Sequence, residues 1–456
     1  MLIDSHSHLN FPEAFPDLAA VKRSMDQAGV EAAVVVGTGI DSSRRASALS
    51  CAWMFPTAGI HPNETSFDDS PAQWRELESL AADAACVAVG ETGLDGHHKD
   101  VPFETQKIRF KKQMGLARDR GLPLIVHSRE AGEETRAMLR AEGRGLSGVL
   151  HCFDGHEALA REALDMGWYI SLAGNITFKN AQPLQDCVRR LPGDRFLVET
   201  DAPFLSPHPH RGKPNDPSLM VHTASKLAEL RGLSTGDITR ITRRNTINLF
   251  RLPLALEGVS LVYPIRDSLY INLTRRCSAR CTFCPREDNP VVKGHDLGLT
   301  RDTEPGADDV IRAMGDLGQW KEVVFCGFGE PTLRLEELKI VARHAKKAGK
   351  RVRLNTNGHG SLIHRRNIVP ELVGLVDCAS ISLDAPDPAS YMEIVRPAHR
   401  EKAFPGLLEF ARECRRLLPE AVLSVVTVPG LDLEACRALA AREGLPLRER
   451  PYNEVG

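Results

Sequence analysis

Eight short apolar runs punctuate the first 200 residues, and helix-length stretches separate them. The runs fall at 2–3, 32–36, 55–60, 86–89, 122–126, 148–150, 168–172 and 196–198. Between them lie segments such as 103–120, where apolar residues recur at three and four positions, the spacing of a helix with one buried stripe. Strands that alternate with helices build parallel α/β architectures. Eight such units are what a closed (β/α)8 barrel needs, and about 250 residues is its usual size. A doubly wound open sheet is the alternative arrangement.

The alternation pauses after Phe250. Residues 253–265 carry two prolines and one glycine without a clear period and read as a linker. It restarts at 268–273, 322–325, 351–354, 379–383 and 422–427, with a sixth candidate near Leu447. Five or six strands are too few for a second closed ring, so a partial (β/α)5–6 barrel is expected. The chain of 456 residues thus divides into domains at 1–252 and 266–456, which suits its length.

Composition removes some function classes. Hydrophobic residues make up 42% and charged residues 26%, ordinary for a water-soluble domain. No run approaches the 18 apolar residues of a membrane span. The N-terminal segment lacks a basic start followed by an apolar stretch, and the expected location is cytoplasmic. A net charge of −2 sets up no global basic field, which leaves a local basic groove as the route to nucleic acid. Eleven cysteines in a reducing compartment are thiols or metal ligands. Eight are scattered singly, and three are clustered.

Polar residues at the ends of the apolar runs carry the chemistry. His6 and His8 lie two apart on a strand and project to one face. His61, Glu91, His127, His151 and Asp201 each follow another run. In a β/α barrel these ends meet at one face, where active sites sit. Imidazole and carboxylate together suit Zn, Mn, Ni or Fe, and this many ligands exceeds what one tetrahedral ion takes. A two-metal site with one bridging carboxylate is expected. His97 and His98, in a loop after Asp95, and His208 and His210, in a proline-rich loop, face either substrate or solvent.

These residues stand in recognisable motifs. Asp4-Ser5-His6-Ser7-His8, Gly59-Ile60-His61-Pro62, Gly90-Glu91-Thr92-Gly93-Leu94-Asp95, His127-Ser128-Arg129, His151-Cys152-Phe153 and Glu199-Thr200-Asp201-Ala202-Pro203 resemble the TatD family of metal-dependent deoxyribonucleases. The resemblance implies a TIM barrel that hydrolyses phosphodiester bonds, of DNA or a nucleotide-containing compound. It implies His6, His8, Glu91, His127, His151 and Asp201 as ligands of two divalent ions (Zn, Mn, Mg, Ni or Fe). Glu91 would bridge, Asp201 would also act as base, and His61 and Arg129 would face the phosphate. Gly96 stands where the family often has an aromatic residue. Hydrolysis of an amide or ester is the alternative; Arg129 and Lys213 favour phosphate.

The clustered cysteines, Cys277, Cys281 and Cys284, are spaced C-x3-C-x2-C directly after a strand candidate. Three thiolates on one loop can hold three irons of a 4Fe–4S cluster and leave the fourth open. A structural zinc ion would want a fourth ligand, for which His295 is the nearest candidate. With Phe283, Gly327-Phe328-Gly329-Glu330-Pro331, Asn355-Thr356-Asn357-Gly358 and Ser382-Leu383-Asp384, the segment resembles the radical S-adenosylmethionine (SAM) superfamily. That resemblance implies contacts to SAM from Phe283, Gly329, Glu330, Asn357 and Asp384. It also implies an external electron donor and a 5′-deoxyadenosyl radical acting on an unknown substrate. The pairing is similar to TatD-associated radical SAM proteins, here in one chain, and points to a bifunctional enzyme, monomeric or a small homo-oligomer. A second domain that is a non-catalytic scaffold or nucleic-acid-binding module is the remaining alternative.

Overall fold

The strands follow the expected order in the computed structural model, which describes residues 1–191 and 195–452. The chain divides into two units between Leu256 and Glu257. The first holds β1 (Leu2–Ser7), β2 (Val30–Val35), β3 (Met54–Pro56), β4 (Val89–Asp95), β5 (Leu124–Arg129), β6 (Gly148–Leu150), β7 (Tyr169–Leu172) and β8 (Phe196–Val198). β1 to β3 form one parallel sheet and β4 to β8 another. Parallel bridges from Ala58 to Val89 and from Ser7 to Ala202 join the two sheets at both seams. The ring is therefore closed, a TIM barrel rather than an open sheet.

Helices cover the outside of the ring. The helix Phe103–Arg120 starts just after Pro102 and ends at Gly121 in the left-handed region, and it buries Phe110, Met114 and Ala117 on one stripe. Each large apolar side chain buried this way contributes about 1.5–3 kcal/mol. Inside the ring, Ile3, Ala32, Val34, Ile125, Val149 and Leu197 pack together with Ile247, Leu249 and Phe250 from the end of the helix Thr235–Phe250. Apolar residues thus fill the end of the barrel where the strands begin, and the polar strand ends gather at the other.

Two irregular registers aim the polar side chains. Ile3 lies inside the ring, so unbroken alternation would also put Ser7 inside and turn His6 and His8 out. β1 shifts register against β2 between Asp4 and Ser7, which turns both histidines inward. Val89 and Leu94 both pack outward although they differ in parity. The shift in β4 between Val89 and Thr92 resolves this and brings Glu91 inside. Such irregularities re-aim side chains beside active sites.

The second unit holds β9 (Val262–Ile265), β10 (Ser268–Ile271), β11 (Val291–Val292), β12 (His295–Asp296), β13 (Glu322–Phe325), β14 (Arg351–Thr356), β15 (Cys378–Ser382), β16 (Glu420–Thr427) and β17 (Leu447–Pro451). Its main sheet runs β9-β10-β13-β14-β15-β16-β17. From β10 onward every pair is parallel, which gives six strands and an open, partial barrel. β9 corrects the expected linker, because residues 262–265 pair antiparallel with β10. Pro264 hid this strand in the sequence, and a proline is tolerated there because β9 is an edge. One face of the sheet, with Ile271, Phe325, Leu354, Ile381 and Leu423, packs against helices. No helix among the described residues is long and apolar enough to cross a membrane.

Candidate functional site

The expected ligands converge at the polar end of the barrel. His6 Nε2 lies 3.4 Å from His8 Nε2, 3.4 Å from Glu91 Oε2 and 3.7 Å from Asp201 Oδ1. His8 Nε2 lies 3.3 Å from Asp201 Oδ1 and 3.9 Å from Glu91 Oε2. All five separations exceed a hydrogen bond of 2.7–3.2 Å. They match atoms that share one ion, since ligands at about 2.1 Å in a tetrahedron stand about 3.4 Å apart. On the other side of the same carboxylate, Glu91 Oε1 lies 2.9 Å from His127 Nδ1 and 2.9 Å from His151 Nε2. Those two nitrogens are 3.4 Å apart. The donor set fits two divalent ions, with Glu91 between them.

An outer ring of acceptors fixes which nitrogen faces inward. His8 Nδ1 donates to the carbonyl of Val36 at 3.3 Å, His127 Nε2 faces Asp95 Oδ2 at 3.2 Å, and His151 Nδ1 faces Glu199 Oε1 at 3.2 Å. Each ring therefore keeps its other nitrogen as a lone pair for the centre. Asp4 ties β1 to the seam with β8, accepting from the Thr200 N–H at 2.9 Å and from its hydroxyl. Burial pushes its carboxyl up to about 8.

The centre calls for positive charge. Burial penalises the His151 imidazolium, yet Glu91 and Glu199 outweigh it and hold it well above the usual range. Burial also pushes Glu91 up, but the imidazoles around it pull it well below the usual carboxylate range. Carboxylates that raise His8, His127 and His151 while burial and His151 lower His6 make a cluster whose negative charge bound cations can balance in place of protons.

His61 differs from the other histidines. Its Nδ1 accepts the N–H of Asn63 at 3.1 Å, so Nε2 carries the proton and points toward Glu91 Oε1 at 3.6 Å. Burial holds it down at about 4. It is a neutral donor at the edge of the centre, and with Glu91 and His127 it also places ligand atoms close enough to share an ion. Arg129 is exposed at the end of β5, level with Asp95 of β4. His97 pairs with Glu130 at 2.8 Å, and His98 pairs with Asp95 at 2.9 Å. A side chain at Gly96 would begin 2.5 Å from the Glu130 carbonyl, so the backbone itself excludes the family's aromatic there. His210 lies beside His222, the rings tilted at 47° with centres 5.0 Å apart.

Comparison with known proteins agrees with this centre. The family described as TatD related DNase matches residues 3–251, more than half of the chain. The chain belongs to that family. It is similar to the uncharacterized metal-dependent hydrolase YabD of Bacillus subtilis, 38% identical over 55% of this chain and 100% of the relative. YcfH of Escherichia coli, also described as an uncharacterized metal-dependent hydrolase, is 34% identical over 55% and 96%. The crystal structure of the TatD homologue YjjV of Escherichia coli aligns with a TM-score of 0.52 at 31% identity, over 55% of this chain and 98% of that one. The TatD barrel thus occupies the first unit. The Radical SAM superfamily matches residues 271–441, so the second unit carries a radical SAM domain.

In that domain Cys277, Cys281 and Cys284 are half-buried free thiols on the loop that leaves β10. The loop is tied down by Arg280 N–H to the Val395 carbonyl, 3.0 Å, and Thr282 N–H to the Ile394 carbonyl, 2.9 Å. Burial pushes the Cys277 thiol up to about 11. It pushes Cys281 up as well, with help from Asp384 and the other two cysteines. His295 sits on β12 with Nδ1 3.3 Å from Ser260 Oγ.

The remaining motif residues surround the loop. A side chain at Gly329 would begin 2.0 Å from the Thr274 carbonyl, so only glycine lets the loop pass. Glu330 is 2% exposed, and its carboxylate accepts from Thr332, Thr356 and the Asn357 N–H. Those bonds make it a strut joining two strand ends, where a cofactor contact was expected. Asn357 Nδ2 donates to Ser278 Oγ at 2.9 Å and reaches Cys277 Sγ at 3.5 Å. Asp384 is buried and accepts the Val426 N–H at 3.1 Å. Phe283 is half-buried beside Cys284 in sequence, and Phe328, in place of a glycine, packs with Tyr263 and Tyr270.

Some site residues went unread in the sequence. Glu199 and Asp95 lie inside motifs already quoted, one position from the strand end or at it, and a rule that takes a single ligand per strand passes them over. His359 is buried, with Nδ1 3.0 Å from Ser278 Oγ and Nε2 2.9 Å from the Tyr391 hydroxyl. Only its place two residues after Asn357 hints at that.

Proposed function

We propose that the chain is a bifunctional enzyme, a two-metal phosphodiester hydrolase joined to a radical SAM enzyme. The observation that carries the hydrolase half is the ring of nitrogen and oxygen atoms at ion-sharing distances around Glu91. His6, His8, Glu91 and Asp201 would hold one ion, and Glu91, His127 and His151 the other. Two divalent ions there supply charge stabilisation at a phosphoryl oxygen and lower the pKa of water. Asp201, half-buried at the open side, takes the proton of the attacking water. His61 presents its Nε2–H to a phosphate oxygen, and the exposed Arg129 guanidinium meets the charge with its fork of donors.

In the second domain the three cysteines would hold a 4Fe–4S cluster. With SAM and an external electron donor, that cluster supplies a 5′-deoxyadenosyl radical. Glu330 and Asn357 keep the loop in place, and Gly329 lets its backbone pass close to Thr274 and Arg276. A reducing compartment such as the cytoplasm suits both the cluster and the free thiols.

The test uses the full chain, purified without oxygen and loaded with each candidate metal. Metal-stimulated cleavage of single-stranded DNA that is lost in Glu91→Gln supports the first half. Hydrolysis of generic carboxylic esters with no cleavage of DNA or nucleotide diesters overturns it. For the second half, 5′-deoxyadenosine formed from SAM is the expected product, and its absence from a protein with a full iron complement overturns the reading.

A further inference from the structure

One face of the second unit's sheet is lined with arginine. The parallel registers put Arg351 and Arg353 of β14 beside Glu322 and Val324, and Arg448 and Arg450 of β17 beside Ser424 and Val426. All four point away from the helix-packed face, where Leu354, Leu423 and Val425 lie and where Glu449 pairs with Arg437 of the helix Leu433–Arg442. Four cations therefore share the face that a partial barrel leaves for its contents.

Two of them are neutralised on the spot. Arg353 Nη2 lies 2.8 Å from Glu322 Oε1, and Arg351 pairs with Glu420. Arg450 is different. It is half-buried, and its Nε is fully buried without a hydrogen-bond partner among the described residues. A buried donor left unmade destabilises a fold and asks for a reason. Its surroundings suggest one. Val426, its register neighbour, donates its N–H to Asp384, and Asp384 is near enough to Cys281 to push up that thiol. The guanidinium, whose Nε is unpaired and whose charge works against the burial that raises the nearby Asp384 carboxyl, thus stands at the same end of the sheet as the cysteine loop.

We propose that Arg450, backed by Arg448, binds the phosphate of the molecule on which the radical domain acts, a phosphomonoester. A planar guanidinium matches two phosphate oxygens at once, and this one lies on the sheet face away from the covering helices, near the end of β17. Hydrolysis of a phosphodiester leaves a phosphomonoester on one product. The first domain's reaction, as proposed above, therefore yields the class of ligand that this face accepts. The role of the bound molecule rests on the radical SAM reading; the binding itself does not.

The experiment is isothermal titration of the full chain, reconstituted without oxygen, with inorganic phosphate and with thymidine 5′-monophosphate. Every sample carries Glu91→Gln and no added divalent metal, so that whatever phosphate the first domain still binds through His61 and Arg129 is the same in all of them. Arg450→Gln is expected to weaken both ligands at least tenfold, Arg448→Gln severalfold, and Arg437→Gln, on the opposite face, not at all. Equal affinity in Arg450→Gln and its parent overturns the proposal. So does a tenfold rise in the KM for SAM with nucleotide binding intact, which would assign the guanidinium to the carboxylate of SAM. A lowered Tm with intact binding also overturns it, making Arg450 a structural partner of Asp384. Absence of 5′-deoxyadenosine from the wild-type chain fails the radical reading instead and leaves the binding result to stand.

Discussion

In the barrel, ligand residues arrive from five strands, and a second ring of Val36, Asp95 and Glu199 orients their imidazoles. In the second unit all three cysteines come from one loop, and burial keeps their thiols protonated. The first site is assembled by the closure of the ring itself. The second is held by a few backbone bonds to residues 394–395 and by Asn357, and it must lose its thiol protons to bind a metal. A ring of strands fixes geometry before loading, whereas a loop acquires much of its geometry from what it holds.

The sharpest break in this comparison is Cys281→Ala. It removes one of only three anchors, so the broad absorbance of an iron–sulfur cluster and all 5′-deoxyadenosine formation are expected to vanish, while hydrolysis stays at the wild-type rate. Loss of both activities would mean that the two sites depend on each other. Glu91→Gln is the counterpart in the barrel. Removing a carboxylate between two ions takes away several kcal/mol of charge stabilisation, and about 4 kcal/mol is close to 10³-fold in rate. Metal content measured on the same sample is expected to fall below two ions per chain, with the iron and sulfide of the second unit unchanged.

A smaller change probes pre-organisation directly. Asp95→Asn keeps the size of the side chain but exchanges the carboxylate behind His127 Nε2 for an amide that can present the wrong group. Metal affinity or activity is expected to fall about 10–100-fold, with circular dichroism unchanged because the ring holds the strands. Chelation should behave in the same way, abolishing hydrolysis reversibly without unfolding the barrel. A barrel that melts on chelation would show that the metals, and not the ring, assemble the site.

The two sites were also unequally legible in the sequence. Both motif sets, the eight strands of the ring and the six parallel strands of the second sheet could be read, because apolar runs report strands and the groups that bind metal are few. The strand limits were not. β1, β4 and β5 run on through His6, Glu91 and His127, and a reading by apolar runs stops before them. Nor does alternation foresee the register shifts at Asp4–Ser7 and Val89–Thr92, since a shift is a property of a pair of strands. In the second unit, β9 hid behind Pro264. The bonds that occupy Glu330 come from Thr332, Thr356 and Asn357, partners that only folding brings together. Ligand identity is written locally, and ligand orientation is written in contacts far apart in the chain.

His359 gives the mildest test of how the cysteine loop is supported. Its side chain is buried, and it joins Ser278, next to Cys277, to Tyr391. Burial, with a further push from His399, holds its imidazole down at about 3, against an ordinary 6.5. The folded state thus resists protonation while the unfolded chain accepts it. This contribution is fully present above pH 6.5 and is lost as the pH falls toward 3. At pH 5 the loss is about 2 kcal/mol, since each unit of separation is worth about 1.4 kcal/mol. Thermal unfolding of wild type and His359→Gln at pH 7 and pH 5 measures it: the amide can still bond Ser278 and Tyr391 but takes up no proton. The gap in Tm between the two proteins should shift in favour of His359→Gln on acidification. A gap that does not change with pH would mean that the loop opens to solvent around His359. The cysteine loop would then owe still more of its shape to the cluster.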